Sequence, residues 1–206
     1  MGAVVNLGTI DINSTDNGSG TTDGAGTIEI GSIGTTSADG ATGAVKIGNT
    51  TTNKITLDGV IYNTDSTQAY TAKTGNFIEV KPGAAMSFIS SGDNITFGTS
   101  GVSLWGDSTH TIDTGTGTGD VTFGGAIQSG DNSDDANNDV LVIKSGTGDV
   151  SIAGTIGLAT DKELGGLKIN AGESANSSDD KDGNITITGA IGGTGGGDTD
   201  EPGVIG

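Results

Sequence analysis

Seven aspartates are compressed into two short stretches of this chain. Asp131, Asp134, Asp135 and Asp139 lie within SGDNSDDANND, and Asp179, Asp180 and Asp182 lie within NSSDDKDG. Hard divalent cations take several carboxylate and carbonyl oxygens from a flexible loop, so calcium is the ion these stretches could hold. DDKDGN matches part of an Asp-x-Asp-Gly calcium loop but lacks the remaining spacing and the terminal glutamate. GGTGGGDTD at 192–200 shares glycine and aspartate with calcium-binding nonapeptides, yet it occurs once and lacks their apolar residue. The competing reading is a pair of solvated acidic loops that keep the surface soluble.

Other chemistry is thinner. The single histidine, His110, stands in DSTHTID. One imidazole without cysteine cannot build a zinc site of the usual kind. Ser108, His110 and Asp113 spell a hydrolytic triad, but nucleophile and base must converge in space, which adjacency along a strand does not provide. An exposed strand or turn histidine is the expectation. GTGTGD at 115–120 resembles the start of a phosphate loop, yet it runs into the strand-like GDVTFG rather than a helix N-terminus. Glycoside hydrolysis needs two carboxyls about 5–9.5 Å apart, and the 26 acidic residues offer many pairs. Sugar clefts also display aromatic platforms, and Trp105, Tyr62 and Tyr70 are the only Trp and Tyr residues. No catalytic residue is assigned, no organic cofactor is implied, and the chain reads as a non-enzyme.

Charge narrows the partners. The formal net charge is −18, and all eight basic residues are lysines. Without arginine, and with this field, nucleic acid and anionic lipid surfaces are excluded as partners. No apolar run approaches the ~20 residues of a membrane span, and the N-terminus MGAVVNLGTIDIN lacks the charged region and apolar core of a secretory signal. Glycine supplies 40 of 206 residues and aromatics only 3%, a composition at the edge of disorder.

Arrangement argues against disorder. GDVTFGGAIQ at 119–128, GDVSIAGTIG at 148–157 and GNITITGAIG at 183–192 are near-copies, with looser ones in GTIEIGSIG at 26–34, NKITLDGVIY at 53–62 and DNITFGTSGV at 93–102. Their first apolar residues, Ile28, Ile55, Ile95, Val121, Val150 and Ile185, are separated by 27, 40, 26, 29 and 35 residues. Recurrence on that scale marks stacked supersecondary units. Val121, Phe123, Val150 and Ile152 alternate with Thr122 and Ser151, the period of a strand with one buried face. Each phrase therefore reads as strand, tight corner, strand, with a glycine such as Gly154 supplying the bend. Further strands are expected at 44–48, 77–80, 139–146 and 166–172. Residues 62–76 read as an insertion, 76–90 as an irregular coil, and 13–26, 129–139 and 170–183 as polar loops. Helix should be minor.

These elements predict an all-β fold, an elongated parallel β-helix (β-solenoid) of irregular Gly-rich coils. A β-sandwich is the alternative, and it would need more large residues between its sheets. Residues 1–192 form a single β-repeat domain, and 193–206 a Gly/Asp-rich linker or terminal strand.

GTIDINS, GTIEIGSIGTTSADGATGAVKIGN, GDVTFGGAIQSG and GDVSIAGTIG resemble repeats of large bacterial exoproteins of the filamentous-haemagglutinin type, and also those of autotransporter-like surface adhesins. The resemblance spans most of residues 3–192. It implies a right-handed parallel β-helix, secretion to the cell surface, and a role in adhesion or surface fibres. The partners so implied are a host or surface glycan or protein, or further copies in a fibre. The expected function is a structural or adhesive segment, a rigid rod displaying acidic loops on one side. A self-assembling filament subunit joined by strand addition and, more remotely, a carbohydrate-active β-helix enzyme are the alternatives.

Overall fold

The computed structural model describes residues 7–13, 26–130, 139–158, 162–171 and 183–192. Among them there is no helix, and every strand pairing is parallel. The first coil contributes β1 (Ile10–Ile12) and β2 (Thr27–Ile30). Four coils of three strands follow: β3 (Val45–Ile47), β4 (Lys54–Leu57) and β5 (Ile61–Thr64), then β6 (Gln68–Tyr70), β7 (Phe77–Val80) and β8 (Met86–Ser90). After them come β9 (Ile95–Phe97), β10 (Gly101–Leu104) and β11 (Thr109–Asp113), then β12 (Val121–Phe123), β13 (Ile127–Ser129) and β14 (Val140–Gly146). The stack continues with β15 (Val150–Ile152), β16 (Gly166–Ala171) and β17 (Ile185–Ile187).

Each coil visits the same three sheets in the same order. Sheet I runs β1-β3-β6-β9-β12-β15-β17, sheet II β2-β4-β7-β10-β13, and sheet III β5-β8-β11-β14-β16. Ile156 extends sheet II by single bridges to Ile127 and Ile191. The fold is a β-solenoid, as the repeats predict, and not a sandwich.

Alternation puts one side chain in two inside, and register stacks them into columns. On sheet I the inward columns are Ile10-Val45-Gln68-Ile95-Val121-Val150-Ile185 and Ile12-Ile47-Tyr70-Phe97-Phe123-Ile152-Ile187. Phe123 and Ile152 are buried while Thr122 and Ser151 keep partial exposure, as the alternation predicts. Stacking of like on like is what a thin core needs. The Tyr70, Phe97 and Phe123 rings lie 5.4 and 4.8 Å apart, nearly parallel, and Phe88 on sheet III meets Phe97 edge-on at 5.2 Å. Offset-stacked and edge-to-face rings are both favourable, and here five aromatics form one continuous cluster.

Three expectations change. Residues 62–76 are not an insertion, and 76–90 are not irregular. Tyr62, Gln68 and Tyr70 are buried core residues on β5 and β6, and β7 and β8 pair in register on both sides. Their polarity hides the pattern, but each polar atom is used inside. The Tyr62 hydroxyl donates to Ile30 O at 2.7 Å, and the Tyr70 hydroxyl donates to Gln68 Oε1 at 2.8 Å. Gln68 Nε2 in turn donates to Ile89 O and Thr64 Oγ1. Lastly, the six phrases mark two corners, not one. Ile28 and Ile55 pair on sheet II, whereas Ile95, Val121, Val150 and Ile185 share sheet I. The 40-residue gap is where the series changes sheet.

Candidate functional site

The corners carry the polar chemistry, and each has its own device. Between sheets III and I, a buried hydroxyl recurs in successive coils. Thr64, Ser90, Thr114 and Ser145 donate to the carbonyls of Ser66, Asp93, Gly119 and Gly148 respectively, closing the turn from inside. Outside the same corner, Asn94 Oδ1 accepts the backbone N–H of Asp120, Asp120 Oδ1 that of Asp149, and Asp149 Oδ1 that of Asn184, each at 2.8 Å. The second residue of the phrases at 93–102, 119–128 and 148–157 thus ties each coil to the next. GTGTGD lies at this corner and leads into β12, so its glycines face backbone from neighbouring coils rather than a phosphate.

Between sheets I and II the device is glycine. A Cβ on Gly154 would meet the backbone of Gly125 and Ala126, and one on Gly189 would meet Gly154. Gly154 does not have a positive φ. Close approach of stacked backbones, not a special angle, requires glycine there.

The corner from sheet II to sheet III holds the only histidine and the only tryptophan. His110 is buried, 1% exposed, which corrects the expectation of an exposed residue. It occupies an inward column between Met86 and Leu141. Its Nε2 lies 3.3 Å from Asp139 Oδ1, the atom that also accepts the Ser108 N–H at 3.4 Å. Asp139 Oδ2 accepts from Ser129 Oγ at 2.9 Å. A carboxylate accepts, so the imidazole donates through Nε2, and Nδ1 is the side without a partner among the described residues. Asp139 therefore joins the end of β13 to the start of β14 and binds both to the coil before. Trp105 is sandwiched nearby, with Lys81 Nζ 4.1 Å from its ring and Gly130 packed against it.

Of the seven aspartates suggested for calcium, only Asp139 is described, and both its oxygens are engaged within the core. Asp131, Asp134, Asp135, Asp179, Asp180 and Asp182 lie outside the described residues. Ser108, His110 and Asp113 do not converge. Ser108 Oγ donates to Gly106 O, while Asp113 projects outward, where it accepts the Gly115 N–H and approaches Lys144. Parity was the missed signal. His110 shares it with Ile112, and Asp139 shares it with Leu141, so strict alternation places both inside.

The acidic loops do not leave from one side. The chain between Asn13 and Gly26 joins sheet I to sheet II, that between Gly130 and Asp139 joins II to III, and that between Ala171 and Gly183 joins III to I. No helix among the described residues is long and apolar enough to cross a membrane. Comparison with known proteins gives no match to a family model, a curated protein or a solved structure.

Proposed function

We propose that this chain is a structural and adhesive segment of a bacterial extracellular surface protein, a stretch of β-solenoid rod whose corners carry acidic loops. The observation that supports it most is the contrast within each coil. Inward columns keep their register through the seven strands of sheet I, while chain length varies at the corners between strands. A scaffold of that kind holds its shape whichever loops it carries, and binding residues concentrate on such loops. The resemblance of the phrases to filamentous-haemagglutinin-type and autotransporter-like repeats points the same way. The partner is a host or surface glycan or protein met by the loops.

The test is loop replacement. Gly-Ser segments of equal length in place of residues 131–138 and 172–182 should leave circular dichroism unchanged and abolish binding to cells and immobilised glycans. Binding that survives the replacement, or a wild-type chain that binds neither, overturns the adhesive reading.

Calcium belongs to this reading, held by Asp131, Asp134 and Asp135 on one loop and by Asp179, Asp180 and Asp182 on the other. A ligand of the folded state raises the melting temperature by mass action. Millimolar calcium should therefore raise it, and asparagine at Asp134, Asp135, Asp180 and Asp182 together should remove the rise. A melt indifferent to calcium and to chelator leaves these loops merely solvated.

A further inference from the structure

We infer that His110 and Met86 together hold one soft monovalent cation, copper(I), inside the stack. His110 on β11 pairs in register with Met86 on β8, and both are inward residues only 1% exposed. Strands so paired lie about 4.8 Å apart, a gap that the flexible thioether of methionine spans. Leu141, the next residue of the column, offers no donor. The imidazole is already set as a ligand. Its Nε2–H goes to Asp139, which leaves the lone pair on Nδ1, and Nδ1 has no partner among the described residues. A histidine that ligates a metal through one nitrogen commonly donates the other to a carboxylate, which fixes the tautomer and raises the basicity of the ligand. Asp139 is itself held by the Ser108 N–H and the Ser129 hydroxyl.

Charge and donor number select the ion. Asp139 is wholly buried, and its three donors are uncharged while His110 carries a single ring proton. Buried charges are ordinarily paired or bound to a metal. One positive charge at Nδ1 balances the carboxylate through the imidazole, and two would leave an excess. Among the described residues no three His, Cys, Asp or Glu side chains gather. Zinc, which takes four ligands, and calcium, which takes six or more oxygens, therefore have no cage at this place. Imidazole with thioether is a soft pair of the kind that selects copper(I), and copper(I) accepts two ligands. Two other occupants compete for the same nitrogen. A proton would also balance Asp139, whereas a buried water would satisfy Nδ1 and leave the charge unpaired. None of the six loop aspartates proposed for calcium takes part.

The test refolds the full chain from urea with silver(I), a redox-inert stand-in for copper(I), in millimolar calcium nitrate so that carboxylates are occupied. His110 is the only histidine, and Met1 is the only other methionine, so their resonances are read without ambiguity. In the metal-free chain at neutral pH, Nε2 should carry the only ring proton. An equivalent of silver(I) should shift the Nδ1 and Met86 methyl signals together, leave Nε2 protonated and raise the melting temperature. Copper(I), supplied without oxygen against a competing chelator, should bind one to one. Met86→Leu keeps the core volume and should weaken binding of either ion about tenfold or more, and Asp139→Asn about 10- to 100-fold. If Asp139→Asn unfolds the corner, Met86→Leu alone carries the test. Silver(I) that shifts neither residue overturns the inference, as does equal affinity in Met86→Leu. A ring protonated at both nitrogens that silver(I) cannot displace assigns the place to a proton and overturns it too.

Discussion

Asp139 shows how much one buried carboxylate can organise at residue scale. It accepts from Ser108, His110 and Ser129, so deleting it strands donors on two coils. An orphaned buried donor costs about 1–3 kcal/mol. Asp139→Ala should lower unfolding free energy by about 3 kcal/mol or more, and Asp139→Asn by less, because the amide keeps one acceptor. Urea melts of the two variants check the order. The core tyrosines act at the opposite end of the pH scale. Burial is the main cause that holds the Tyr62 and Tyr70 phenols above their ordinary range; Asp58 adds to it for Tyr62, against the opposing hydrogen bond from Gly59. The unfolded chain releases those protons first, at about pH 10. Stability is therefore full below about pH 10 and falls as pH climbs toward the raised values. Thermal melts in alkaline buffers should show that fall. Tyr70→Phe should flatten it, at a cost of about 1 kcal/mol at neutral pH from the lost bond to Gln68.

At the scale of elements, the glycines of the corner between sheets I and II decide how closely coils approach. A methyl on Gly154 has only backbone to displace, whereas one on Gly26 meets nothing. Gly154→Ala should destabilise by about 3 kcal/mol or more, and Gly26→Ala should stay within about 0.5 kcal/mol. Equal losses in the two melts would mean that the corner backbones do not touch. The alternating triplets on β12 and β15 were legible because nothing competes with their apolar-polar-apolar pattern. β6 was not, since Gln68 and Tyr70 satisfy themselves inside the core and look like a loop from sequence. Spacing alone also could not tell a sheet II strand such as β4 from a sheet I strand, because both are short, β-branched and followed by glycine. The corner acceptors Asp120 and Asp149 stood in plain view within the phrase. Their role depends on the N–H of another coil, which no local pattern reveals. His110 and Asp139 were within reach of parity, but a lone histidine and an acidic run suggest solvent before they suggest a core.

For the molecule as a whole, stability is a sum over neighbouring coils, each touching only those before and after it. Strands sit about 4.8 Å apart, so the seven strands of sheet I make a stack about 30 Å long. Hydrogen-exchange protection should be highest from β5 to β12, where the aromatic cluster lies, and fall toward β1 and β17. Uniform protection from end to end would mean that the coils open only together. The direction of the backbone hydrogen bonds has a mechanical consequence as well. They join coil to coil and so point along the axis of the stack. Tension applied between the two ends loads them in series, a few at a time, as a zip is loaded and not as a lap joint is. Under force the chain should pay out one loop of thread after another. The increments should follow the differing spacings of successive sheet I strands, shorter between Val45 and Gln68 than between Val121 and Val150.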